Sequence, residues 1–362
     1  MRLITTSSLA AGLLFLATVA VCQECQVDPD DPDGLCTNDS ANDSTGSAED
    51  NELTKVRLGL EWFVNPDHLP LIVAQQHGIF QDFGLDVELI VPKDHWEAEQ
   101  EILAGRLDIA VTEPLHLAQD AAKNKPVLGF LRFFHTDGGV MYNKNAGIHR
   151  PRDMCGKTIS YPGSPGPGGP AIVQTMVQAD GKMDCPLDSY QKYNGGFFHT
   201  DAIASENADV ATLVFWNFEI PEATSRGLNV SFFSLKDWGV PDFCQLVLMT
   251  TPDRYQQLKG PLRQLALAVK RATGIIHQQP ALAKQYYFEY TNTSAADKDD
   301  PNDDPMTNAI LEATLPAFPN DYTMASEYYH RLMTWLVDTN QVDKEEASEV
   351  EISSYWTNEI AW

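Results

Sequence analysis

From Val56 onward the apolar positions fall into short runs whose period switches between two and about 3.6 residues. Arg57-Leu58-Gly59-Leu60-Glu61 alternates, so Val56–Leu60 reads as a strand. Asn65-Pro66-Asp67 is turn chemistry, and Leu69–Gln76 is helical, stopped by Gly78 just past its end. The pattern then predicts a strand at Asp86–Val91, a helix at His95–Ala104 and a strand at Leu107–Val111. A helix at His116–Lys123 and a strand at Val127–Phe134 follow. Strands alternating with helices imply a mostly parallel sheet covered by helices.

Gly138–Asn143 reads as a strand leaving that unit, and a second cycle follows. Its strands are expected at Thr158–Tyr161, near Tyr190–Tyr193 and at Val210–Phe215, with a helix at Ala171–Ala179. Phe243–Met249 would return the chain to the first unit, and from Tyr255 the pattern is mainly helical. The plan is α/β with two lobes: 54–145 begins lobe one, 146–241 forms lobe two, and 242–362 returns to complete lobe one. Such a protein bends at a hinge and holds its ligand in the cleft between the lobes.

The amino terminus changes the picture of where this happens. Arg2 precedes an apolar run, Leu9–Val21, too short to span a bilayer, so 1–22 is expected to be a signal peptide cleaved near Ala20–Cys22. Residues 23–53 carry ten Asp and Glu and no Lys or Arg, which predicts a disordered acidic tether. The expectation is a secreted or extracytoplasmic protein, organelle delivery being the variant, with no membrane insertion after cleavage. A net charge of −26 argues against nucleic acid as a partner. Asn38, Asn42, Asn229 and Asn292 open N-glycosylation sequons. Of six cysteines, Cys25 can pair with Cys36 and Cys155 with Cys185, while Cys244 reads as a buried thiol. The carboxylate-dense loop Asp297–Asp304 lacks the Gly and closing Glu of a calcium loop and reads as solvated.

Candidate chemistry gathers where strands end, because open α/β sheets bind ligands there. Trp62 and His68 follow the first strand; His68 suits helix capping and ligand contact equally. Glu113, between the strand ending at Thr112 and Pro114, can accept paired N–H bonds from an amidine-like ring edge, or simply favour a helix N-terminus. His116 lies one turn on, on the same face. Tyr161 opens a Gly/Pro loop in which Ser164, Gly166, Gly168 and Gly169 can hold a polar or phosphate tail, or merely turn the chain. Trp216 and Glu219 end a strand of lobe two and would meet Trp62 and Glu113 across the cleft. His95-Trp96 suits cleft rim and packing alike. No Gly-x-Ser-x-Gly elbow or His-Glu-x-x-His pair occurs, so no catalytic or metal residue is assigned.

Trp62…Asn65-Pro-Asp-His68-x-Pro-Leu…Ala74…Gly78-x-Phe80…Gly84-Leu-Asp-Val87 resembles the opening of the NMT1/THI5-like family, a branch of the type 2 periplasmic-binding-protein fold. The resemblance continues through Glu101–Ala110 and His116 and, more loosely, to about residue 340. It implies one of two activities. Bacterial relatives bind thiamine pyrimidine precursors, such as formylaminopyrimidines, and hand them to membrane transporters. Fungal relatives are synthases that build hydroxymethylpyrimidine phosphate from their own histidine and pyridoxal phosphate, using iron. In the synthases the reacting histidine follows a cofactor lysine by four positions; here His116 is present but Thr112 stands in the lysine's place. Of their cysteine-rich segment only Phe243-Cys244 remains. The expectation is therefore a binder of a small heterocycle without a cofactor. The synthase, with pyridoxal phosphate and iron, is the alternative, and a sulfonate or riboflavin-type binder a third.

Overall fold

The computed structural model describes residues 52–93, 96–161, 168–196, 198–291 and 304–362. The expected signal peptide, nearly all of the tether, Ser164, Gly166, His95 and most of the Asp297–Asp304 loop lie outside them. Within Asn51–Trp362 the chain forms one compact unit around two five-stranded sheets.

In chain order the first stretch is β1 (Thr54–Gly59), α1 (Leu69–Gln76), α2 (Ile79–Asp82), β2 (Leu85–Ile90), α3 (Ala98–Leu103), β3 (Ile109–Thr112), α4 (Pro114–Ala122) and β4 (Leu128–His135). The chain then crosses over into β5 (Gly138–Asn143), β6 (Thr158–Tyr161), α5 (Gly168–Ala179), β7 (Gln191–Asn194), α6 (His199–Ala204), β8 (Val210–Phe215), α7 (Trp216–Ser225) and β9 (Val230–Ser234). It returns as β10 (Gln245–Thr250) and ends in α8 (Pro252–Gln278), α9 (Pro280–Thr291), α10 (Pro305–Thr314), α11 (Ser326–Asp338) and α12 (Lys344–Glu349).

The sheet of lobe one has the order β2-β1-β3-β10-β4, that of lobe two β7-β6-β8-β5-β9. β1 is parallel to β2 and β3, and β6 to β7 and β8. β10 is antiparallel to both its neighbours, and so is β5. The two reversed strands are the two that arrive from the opposite lobe. Parallel strands end at the cleft, whereas an arriving strand starts there and must run the other way.

This corrects the expected boundary. Gly138–Asn143 is not the last strand of lobe one but an inner strand of lobe two, so the crossing lies at 136–137 rather than at 145. The C-terminal helices also do more than complete lobe one. α10 packs on α7 of lobe two, and Trp335 of α11 donates from Nε1 to Thr175 Oγ1 of α5 at 3.1 Å. The main hydrophobic core runs without a break from Leu58 and Phe134 to Ile172 and Val210, which ties the lobes together.

Local signals account for most elements. Thr251 caps α8 by accepting the Arg254 N–H, with Pro252 in the first turn. Asp304 accepts from Met306 and Thr307 at the start of α10. The outer edge of β4 is covered by the C-terminal segment, where Gly129 N donates to Tyr355 O and Thr357 N to Gly129 O. Cys155 and Cys185 form a disulfide, and Cys244 is a buried thiol, both as expected.

Candidate functional site

The carboxyl ends of both sets of parallel strands open on one cavity of about 530 Å³. From lobe one its wall takes Glu61, Trp62 and Asp67 after β1, and Thr112, Glu113 and His116 where β3 passes into α4. From lobe two come Tyr161 at the end of β6, Gly168 at the start of α5, His199 of α6, Leu213 and Phe215 of β8, and Glu219 of α7.

Glu113 stands at the N-cap position of α4, yet its side chain makes no capping bond. Its Oε2 is sealed from solvent and has no hydrogen-bond partner among the described residues. Burial, reinforced by the charge of Glu61, pushes its pKa up to about 8. In the lobe-two part of the same wall, His199 is 4% exposed, and its Nδ1 likewise lacks a partner among the described residues. Burial depresses that imidazole to about 4, so it is neutral. A buried polar atom without a partner costs about 1–3 kcal/mol. Two of them, one from each lobe, converge on a single cavity.

Asp67 closes the floor. Its Oδ1 accepts from Asn217 Nδ2 of α7 at 2.6 Å, and the same amide donates to Thr314 Oγ1 of α10 at 2.8 Å. Burial raises Asp67 to about 7 despite that bond. Leu213 holds φ of +57°, a left-handed conformation costing on the order of 1–3 kcal/mol in a non-glycine residue. The same stretch of β8 carries a register shift against β5, and its Leu213 lines the cavity. Tyr161 lies against the start of α5: a Cβ on Gly168 would stand 2.8 Å from the tyrosine oxygen.

The structure thus gathers Trp62, Glu113, His116, Tyr161, Gly168 and Glu219 around one space. Gly169 sits behind the wall, where a Cβ would be 3.2 Å from Ile159 and from Tyr161. His68 is not at the surface of the cavity. Its Nδ1 accepts the Asn65 N–H at 3.3 Å, completing the turn before α1, and its Nε2 faces both oxygens of Glu61 at 3.1 Å. It positions Glu61 and caps the turn. Trp216, expected opposite Trp62, is 43% exposed and outside the wall, because Val214–Glu222 is no extended strand end: α7 begins at Trp216. The neighbours of Trp62 are Phe63 and Phe218, at centroid distances of 4.4 and 5.1 Å. Glu219 spends one oxygen on its own helix, Oε2 accepting the Phe215 N–H at 2.9 Å.

Asp67, His199 and Phe215 were not singled out by the sequence. Asp67 is hidden inside turn chemistry. His199 follows Gly195-Gly196 after a strand, the same strand-end logic that marks Glu113, and that signal could have found it.

The NMT1/THI5-like family model matches residues 65–283. A formylaminopyrimidine-binding protein of Halalkalibacterium halodurans is 29% identical over 212 residues, 58% of this chain and 63% of that protein, so the chain spans less than two thirds of this relative. A 4-amino-5-hydroxymethyl-2-methylpyrimidine phosphate synthase of Aspergillus parasiticus is 24% identical over 292 residues, 78% of this chain and 81% of that one. The alkanesulfonate-binding protein SsuA of Xanthomonas axonopodis pv. citri, bound to MOPS, superposes with a TM-score of 0.63 at 12% identity, covering 85% of this chain and 99% of that one. The fold is that of the periplasmic binding proteins, and the family match takes in more than half of the chain. The chain belongs to the NMT1/THI5-like family.

Proposed function

We propose that this protein is an extracytoplasmic binder of an amino-bearing pyrimidine of the thiamine-precursor class, handed on to a membrane transporter. The observation that carries the reading is the pair of unpartnered buried atoms, Glu113 Oε2 and His199 Nδ1, one per lobe. A ring edge with an exocyclic amino group donates to a carboxylate, and a further ring atom or substituent pairs with the neutral imidazole. Trp62 and Tyr161 offer flat faces for stacking. The formylaminopyrimidine-binding relative supports this ligand class. The apolar leader and the Cys155–Cys185 disulfide support an oxidising compartment.

The synthase chemistry fits the residues poorly. A cofactor aldehyde needs an amine, and position 112 offers a hydroxyl. The wall lysines are Lys123, exposed beyond the last residue of α4, and Lys125, ion-paired with three carboxylates. A sulfonate would meet Glu61, Asp67, Glu113 and Glu219, with no arginine in the wall among the described residues.

The test is thermal unfolding against hydroxymethylpyrimidine, formylaminopyrimidine, an alkanesulfonate and pyridoxal phosphate. At about a hundred times its dissociation constant a ligand stabilises the native state by roughly 2.7 kcal/mol. A shift with the pyrimidines that Glu113→Gln abolishes is the expected result. A shift with the sulfonate alone, or covalent capture of pyridoxal phosphate, overturns it.

A further inference from the structure

Two open sheets have four edges, and three of them are guarded. The outer edge of β4 is covered by the C-terminal segment. β2 exposes Asp86 and Glu88, and β7 exposes Lys192. A charge on an outermost strand opposes pairing with another chain, because the joint sheet would have to desolvate it.

The fourth edge is β9, which pairs with β5 alone. Its sequence, Val230-Ser-Phe-Phe-Ser234, has no charge and no proline, and each of its residues is partly exposed. Among the described residues no hydrogen bond from outside β5 reaches the backbone of Ser231, Phe232 or Phe233. An uncharged, half-exposed edge with unpaired N–H and C=O groups is a template for a second strand.

At the start of this strand stands Asn229, exposed, in the triplet Asn229-Val-Ser231. Its carbonyl accepts the Lys144 N–H at 2.9 Å, and its Nδ2 donates to Asn145 Oδ1 at 2.8 Å. That side-chain bond uses one of the two amide hydrogens, so the other can be substituted without unmaking it. Asn38, Asn42 and Asn292 open the same kind of triplet but lie outside the described residues.

We propose that Asn229 carries an N-linked glycan that shields the β9 edge from pairing with a second copy of this chain. Attachment joins Nδ2 to the anomeric carbon of an oligosaccharide held on a lipid diphosphate. The carbon–oxygen bond to the diphosphate breaks, the diphosphate leaves with the electron pair, and the amide nitrogen gives up a proton. The bulky, hydrated sugar then occupies the space beside the start of β9 that a pairing chain would need. The inference rests on the extracytoplasmic reading, because this transfer acts on chains entering a secretory pathway.

The full chain, secreted with its own leader from cultured eukaryotic cells, tests it. Peptide mapping should find Asn229 occupied, and light scattering should find a monomer. Ser231→Ala destroys the triplet and leaves Asn229 in place. That variant should carry no sugar at Asn229 and should associate, its mean mass rising to that of a dimer or more at the same concentration. Ser231→Lys destroys the triplet too but puts a charge on the edge, so it should stay monomeric, which separates edge pairing from misfolding. A secreted wild type bare at Asn229, a monomeric Ser231→Ala variant, or a Ser231→Lys variant that associates equally overturns the inference while the proposed function stands. A chain retained in the cytosol overturns the extracytoplasmic reading with it.

Discussion

Glu113 occupies a capping position and does not cap, so its carboxyl is held for something else. With a folded pKa of about 8 against an ordinary 4.5, it keeps a proton that the unfolded chain has already lost. The stability it contributes is therefore full below the ordinary value and drains away as the pH rises through about 8. Asp67, raised to about 7, acts with the same sign. His199, depressed to about 4 from 6.5, acts with the opposite sign, but its window closes at 6.5. Between pH 6.5 and 8 the melting temperature of the unliganded protein should fall, and Glu113→Gln should make that slope shallower; an equal slope in the variant would move the effect to Asp67 and Glu219. A ligand that donates N–H bonds needs the carboxylate, so its affinity should rise with pH over the same window. Trp62 and Glu113 were legible in the sequence because each stands just past a predicted strand, and Tyr161 because it ends one. His68 was ambiguous, since one imidazole can cap a turn or touch a ligand and only the distances to Asn65 and Glu61 decide.

At the scale of elements, the strands were mostly legible and the short helices of lobe two were not. Val210–Phe215 is β-branched and continuous, and its bounds follow from composition. α7 was missed because Pro221 sits inside it, and an interior proline usually ends a helix, at about 3 kcal/mol. The helix persists because its surroundings compensate. Glu219 accepts the Phe215 N–H at its start, and Asn217 is held by Asp67 and Thr314. Replacing Glu219 by Ala should cost about 1–3 kcal/mol by leaving that buried N–H unpaired. Glu219→Gln retains an acceptor and should cost less, which chemical denaturation of the two variants can separate. The disulfide between Cys155 and Cys185 closes a 30-residue separation that includes β6 and α5. Removing it with Cys185→Ser should lower stability by about 2–4 kcal/mol. A midpoint that did not move on reduction of the wild type would show the bond absent in solution.

For the whole molecule the question is what holds the two lobes around the cavity. Two sets of contacts cross between the lobes, one aromatic and one polar. Phe63 of lobe one stacks on Phe198 of lobe two with ring centroids 6.0 Å apart and planes 17° off parallel, while Trp62 leans on Phe218. Asp67 and Asn217 make the polar counterpart at the floor. An aromatic pair contributes about 0.5–1.5 kcal/mol beyond its buried area. Phe198 is 57% exposed, so little core packing is lost with its ring, and Phe198→Ala tests closure rather than folding. Losing about 1 kcal/mol of bias toward the closed form shifts the open-to-closed ratio roughly fivefold. Affinity then falls by the drop in the closed fraction, because only that form presents both Glu113 and His199 to the ligand. Phe198→Ala should therefore show a larger radius of gyration by solution scattering without ligand, with saturating ligand restoring the wild-type value, and up to about fivefold weaker binding. Unchanged scattering would mean that the continuous core and the C-terminal helices α10 and α11 hold the lobes by themselves. The ligand would then have to enter by local opening of the cavity wall, not by hinge motion.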